Sequence, residues 1–176
     1  LLGRKLILDN HGLPSNIQPF FTPEMTELSS VPNNILAAPI KFVIETETGT
    51  EELKPISFSY ISKTAGSIRW TAVSASQGIK LEVTGSLEFD GFVAYQVKLS
   101  ATENIKVKDI SMILPFNKEA GVYMMGLGQK GGYRPSSFYW KWDVANKNQD
   151  GAWIGNVNAG LQFSLRDEKY IRPLNT

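Results

Sequence analysis

Apolar residues recur at every second position over much of this chain, and many are β-branched or aromatic, which is the pattern of half-buried strands and not of helices. Ile79, Leu81, Val83, Leu87 and Phe89 fall on one face, while Lys80, Glu82, Thr84, Ser86 and Glu88 fall on the other. Asp90-Gly91 follows as a turn signal, and Val93, Tyr95, Val97 and Leu99 then resume the alternation. Residues 79–100 therefore read as a long β-hairpin with a two-residue connection.

Ile105 and Val107 open a further run whose parity changes to Ile110, Met112 and Leu114, with Lys108 and Asp109 between the phases. A β-bulge accounts for that switch. Ile56, Phe58 and Tyr60, then Ile68, Trp70 and Ala72, form two more half-buried strands around a Thr64-Ala65-Gly66 turn. Lys5 to Leu8 and Lys41 to Glu45 look extended, Val122 to Met125 reads as a short strand, and Leu161, Phe163 and Leu165 close the series. Phe21 to Pro39 carries three prolines and neither periodicity, so a long surface connection is expected there, with at most one helical turn near Glu24 to Leu28. About ten strands with short polar turns and little helix predict an all-β fold, a two-layer antiparallel β-sandwich. At 176 residues the chain is expected to form one domain over 1–176.

Charge and composition narrow the partners. Lys and Arg number 18 against 17 Asp and Glu, so no long-range field draws the molecule to nucleic acid or to anionic lipid. No apolar run approaches the length of a bilayer crossing, and no membrane partner is expected. Cysteine is absent, which removes disulfides, thiolate metal sites and thiol catalysis. His11 is the only histidine and sits in an Asn-His-Gly-Leu-Pro turn, so a histidine-based triad has no local support.

Candidate chemistry concentrates between Gly121 and Gly160. This stretch holds three of the four tryptophans, Trp140, Trp142 and Trp153, and eight of the fifteen glycines. Indole and phenol rings offer flat apolar faces with a polar edge, and glycines let the backbone turn sharply beneath them, a combination suited to ring-shaped ligands such as sugars. The competing reading is that the rings close the end of a core. Tyr133, Arg134, Tyr139, Trp140, Trp142 and Trp153 are the candidates for carbohydrate or interdomain contact, with Asp143 as a hydroxyl acceptor. Trp140-Lys141-Trp142, if extended, puts both indoles on one side as a two-ring platform. Lys130 and Arg134 lie among the rings, where a guanidinium stacks on an indole or binds a carboxylate.

Three other motifs are weaker. Gly126-Leu127-Gly128-Gln129-Lys130-Gly131 has the glycine spacing of a dinucleotide loop, but Gly132-Tyr133-Arg134-Pro135 follows where a helix would have to start. Asn146, Asn148 and Asp150 before Gly151 open like a calcium loop, yet Val157 stands where a bidentate glutamate belongs, so calcium is only a weak alternative and no cofactor is expected. Asp143 with Asp150 or Glu119 is the carboxylate pair to test for a glycosidase reading, although Asp and Glu in Asn/Asp/Gly loops are usually solvated or capping groups.

The words Met124-Met125-Gly126-Leu127-Gly128-Gln129-Lys130-Gly131-Gly132-Tyr133-Arg134-Pro135, Trp140-Lys141-Trp142-Asp143, Trp153-Ile154-Gly155-Asn156-Val157-Asn158-Ala159-Gly160-Leu161 and Tyr170-Ile171-Arg172-Pro173-Leu174 resemble the amino-terminal β-sandwich region of glycoside hydrolase family 123-like proteins. Residues 1–115 share only the general β character. The resemblance implies a multidomain, exported protein of Bacteroides-type glycan degraders, periplasmic or at the cell surface, and a galactose-mutarotase-like supersandwich is one form the sandwich would then take. It also implies that the hydrolytic site lies on a separate downstream (β/α) barrel, where an adjacent Asp-Glu pair assists attack by the acetamido group of an N-acetylgalactosaminide. Asp167-Glu168 repeats that dipeptide by letter only, in a turn after a strand, and does not inherit the role. The expectation is thus a noncatalytic accessory domain, a fragment of a larger protein, whose partner is the downstream catalytic domain of the same polypeptide and whose rings line part of its sugar cleft. The alternatives are an enzyme that uses its own loop carboxylates, and a purely structural interdomain module.

Overall fold

In the computed structural model, residues 1–141 and 151–165 are described. They contain no helix, so none is long and apolar enough to cross a membrane. Strands β1 (Arg4–Leu8), β2 (Pro14–Pro19), β3 (Lys41–Thr46), β4 (Gly49–Thr50), β5 (Lys54–Lys63), β6 (Ser67–Ala75), β7 (Ile79–Glu88), β8 (Val93–Ala101), β9 (Val107–Ile113), β10 (Tyr123–Gly126), β11 (Gln129–Tyr133), β12 (Gly151–Gly155) and β13 (Gly160–Ser164) follow in chain order. They build sheets of order β1-β2, β4-β3-β9, β5-β6-β7-β8 and β11-β10-β12-β13. The fold is all-β, with antiparallel sheets in a sandwich-like build.

The chain divides into two compact units, Leu1–Ile17 with Ala38–Pro115, and Gln18–Ala37 with Phe116–Thr176. In the first unit, the predicted alternation sets the core. Trp70, Ala72 and Ser74 of β6 stand opposite Gly85, Val83 and Leu81 of β7, and all six are buried. Leu81 shares a cavity with Ile40, Phe42 and Val43, so the sheet containing β3 faces this one. Trp70 is 1% exposed, its Nε1–H donates to the Gly12 carbonyl at 2.9 Å, and its ring fills the space in which a side chain at Gly85 would stand. The Tyr95 ring, opposite Gly85 on β8, meets Trp70 edge to face at 5.7 Å. The Tyr95 hydroxyl is buried with no hydrogen-bond partner among the described residues. Burial raises its pKa above the ordinary 10.0, and the negative charge of Asp9 adds to the rise.

The Thr64–Gly66 turn forms as expected, with the Ser67 backbone N–H donating to the Thr64 hydroxyl at 3.0 Å. The bulge also falls at the predicted parity switch: Glu45 pairs with Asp109 and Thr46 with Val107, which leaves Lys108 as the extra residue. One local expectation is corrected. The β7–β8 connection is a three-residue loop, Phe89 to Gly91, because Gly91 adopts φ 97° and adds a bulge after a turn closed by its N–H on the Glu88 carbonyl. Phe89 therefore sits at the exposed tip and not on the core face. No helical turn forms near Glu24 to Leu28; Phe21 bridges Leu28 instead, and the Thr22 N–H donates to the Glu27 carbonyl.

Candidate functional site

The second unit carries the glycine- and ring-rich segment. Gly126 pairs with Gln129, and the two residues between them, Leu127 and Gly128, have φ 51° and 86°. Positive φ at both central positions is the type I′ hairpin turn, whose twist matches that of the flanking strands. The supposed nucleotide loop is thus the β10–β11 hairpin, and Gly131 lies inside a strand instead of opening a helix. Gly126 is required sterically as well, since a side chain there would strike the Gly151 carbonyl and approach the Ala152 Cα at 2.8 Å.

Register then separates two faces. Met124, Ala152, Ile154, Leu161 and Phe163 share one, where Met124 and Ala152 are buried together with Ile35, Leu36, Ala120 and Ala159 of the same unit. The other face presents Tyr133, Tyr123, Met125, Trp153, Gln162 and Ser164, with Gly151, Gly155 and Gly160 among them. Tyr133 is 80% exposed and Met125 54% exposed, so this is an open face that carries rings. Tyr123 and Tyr133 are a cross-strand pair with centroids 5.2 Å apart and planes tilted by 36°. Trp153 is half-buried, and its indole covers the backbone of Gly155 and Gly160. An open cleft of about 280 Å³ runs along edge strand β11, bounded by Met124, Gln129, Lys130, Tyr133 and Pro135 over Gly131 and Gly132.

Of the residues picked out by sequence, Tyr133 and Trp153 are brought onto this face. Arg134 anchors the strand end: its N–H donates to the Val122 carbonyl at 2.9 Å and its Nε–H to the Gly121 carbonyl at 2.8 Å. Tyr139 is 86% exposed and Trp140 half-buried in the irregular stretch after β11. Trp142 and Asp143, and the calcium alternative Asn146, Asn148 and Asp150, lie outside the described residues, as does Asp167-Glu168. No group of three or more His, Asp or Glu side chains able to hold a metal occurs among the described residues. Tyr123, Met125 and Gln162 were missed by the sequence reading; the alternation Tyr123-Met125 against Met124 was the available signal.

The first unit holds a second cavity, about 370 Å³, lined by His11, Lys41, Thr50, Glu51 and Glu52 over Leu13, Ile40, Phe42, Val43, Leu53 and Leu81. The His11 Nδ1 lies 2.9 Å from the buried Ser74 hydroxyl, and its backbone N–H and that of Leu13 donate to the Asp9 carboxylate at 2.9 and 3.1 Å. Asp9 thereby builds the turn, while Ser74 positions the ring.

These features define a β-sandwich-like domain with an aromatic, solvent-facing sheet. The family model described as "Glycoside hydrolase 123, third domain" matches residues 1–176, and the chain belongs to that family. A third domain implies other domains in the same polypeptide, so the chain is an accessory domain of a glycoside hydrolase. No curated protein and no solved structure gives a significant match.

Proposed function

We propose that this domain is noncatalytic, packs on the glycosidase domain of its own polypeptide, and lines part of the sugar cleft with the rings of its β10–β13 sheet. The observation that carries the reading is that sheet's open face, where Tyr123, Tyr133 and Trp153 stand beside Met125, Gln162 and Ser164. Open aromatic faces with nearby amide and hydroxyl groups suit the C–H faces and hydroxyls of sugars. Packing on a neighbour is supported by apolar side chains left exposed elsewhere, namely Val107, Ile110, Met112 and Ile113 on β9 and Phe89 and Phe92 at the β7–β8 tip. The same reading makes the parent protein an exported one, which cell fractionation tests.

Deletion of this domain from the full polypeptide is the decisive experiment. The expected result is a less stable catalytic domain with weaker saturation by glycan substrate; a parent enzyme indifferent to the deletion would overturn the proposal. The isolated chain should not turn over aryl glycosides, and turnover abolished by Asp143→Asn or Asp150→Asn would favour the enzyme reading instead.

A further inference from the structure

We infer that Trp153, seated on Gly155 and Gly160, is a stacking subsite for a single neutral pyranose, with Gln162 as its hydrogen-bonding partner and Gly160 as a positioning residue. The inference rests on the accessory-domain reading above and names the ligand and the residues of its open sheet face.

The geometry of the indole carries it. A Cβ built on Gly160 would meet the Nε1, Cε2 and Cζ2 atoms of Trp153 at 2.6, 2.7 and 2.7 Å, and no other atom ranks among its three nearest. The Nε1–Cε2–Cζ2 edge of the indole therefore overlies the Gly160 backbone, in room that only a glycine leaves. At Gly155 the same Cζ2 closes the space, beside the Ala159 carbonyl at 2.7 Å. The indole is thus seated on these two glycines, on the side of the sheet that also presents Met125 and Gln162.

The surroundings fit an uncharged polyol. Register places Met125 on one side of Trp153 and Gln162 on the other, with Ser164 and Gly151 next along the strands. No residue that register places on this face of β10, β12 and β13 is charged, and the one charged residue in the strands of this sheet, Lys130, belongs to edge strand β11, so a charged ligand finds no countercharge on the strands flanking Trp153. A pyranose laid on the outer indole face would bury its C–H groups and turn its equatorial hydroxyls to the rim. The Gln162 amide, exposed and directly opposite Trp153, can both donate and accept there.

The test uses four probes: glucose, galactose, N-acetylglucosamine and N-acetylgalactosamine. Each is titrated at millimolar concentration into the chain while the indole N–H resonance of Trp153, assigned with Trp153→Phe, is followed by NMR. At least one sugar should shift that resonance saturably. Trp153→Ala and Gly160→Ala should each weaken binding about tenfold or more, and Gln162→Ala less. Tyr60→Ala, an exposed ring on β5 of the first unit, should leave it unchanged. Gly160→Ala has no positive φ to strain and displaces only the ring, so its thermal melt should stay near that of the parent; if it does not, Trp153→Ala and Gln162→Ala carry the test.

No shift with any of the four sugars, or binding that survives both Trp153→Ala and Gln162→Ala, overturns the inference. Hydrogen exchange on the full polypeptide separates this from failure of the wider reading. Protection of the Trp153 face by the neighbouring domain without added sugar would overturn the subsite yet keep the accessory role. Absence of any interdomain protection would sink the accessory role itself.

Discussion

Trp70 and Trp153 are both seated on glycines, in two different sheets, and they come to opposite ends. Trp70 occupies the room left by Gly85, takes Gly12 as its N–H acceptor, and is sealed by Tyr95 on the neighbouring strand. Trp153 rests on Gly155 and Gly160 in the same manner but on the side of its sheet turned away from the buried residues. A glycine opposite a tryptophan thus makes a place for the ring without deciding whether that ring is core or surface. What decides is whether a second layer covers the face. In the first unit the sheet bearing β3 and the Asp9–Leu13 turn supply that cover.

The sharpest way to break the comparison is to remove each ring. Trp70→Ala should cost about 3–5 kcal/mol in chemical denaturation, because it opens a cavity and leaves the Gly12 carbonyl without its indole donor. Trp153→Ala should cost clearly less, and equal losses would mean that Trp153 is also a core residue. Adding a methyl beneath each ring comes next. Gly85→Ala should lose about 1–3 kcal/mol, since the enclosed Trp70 cannot move aside, whereas Gly160→Ala should lose little.

Turn strain gives a smaller effect in the opposite direction. Leu127 holds φ 51°, a conformation that costs a residue with a bulky side chain about 1 kcal/mol, so Leu127→Gly should raise the melting temperature slightly by relieving it. No change would argue that the Leu127 side chain offsets the strain through packing.

The smallest effect concerns the cover over Trp70. Below pH 10.0 the Tyr95 phenol is protonated in both folded and unfolded chains, and pH does not act through it. Above that value the unfolded chain releases the proton while the folded chain, with its raised pKa, retains it, so stability falls as pH climbs. Tyr95→Phe should flatten that alkaline decline and leave stability near neutrality equal or slightly higher, because the buried hydroxyl has no partner among the described residues. A steeper decline in the variant would mean that another group carries the alkaline loss.

Much of the first unit was legible as period-two alternation because its strands bury one face and wet the other. The parity switch at Lys108 and Asp109 even located the bulge. Strands β11 and β12 were harder to see, since Gln129-Lys130-Gly131-Gly132-Tyr133 and Gly151-Ala152-Trp153-Ile154-Gly155 are rich in glycine and look like loops. Their glycines serve ring packing and close backbone approach, two demands that composition cannot tell from turn propensity. For the candidate site, sequence singled out Trp153, Tyr133 and Arg134 but could not show that the Arg134 Nε–H serves the Gly121 carbonyl.

By itself, the order of residues determined the all-β class, most strand positions, the Thr64–Gly66 turn and the family. Those properties depend on local period and on short words, which survive without knowledge of what lies across the fold. Only the tertiary structure decided which face of β10–β13 is covered, that Gly126 to Gln129 is a hairpin turn, and that one glycine-seated tryptophan is core while the other faces outward. Burial is a relation between segments distant in sequence, and pairing register, not composition, fixes it.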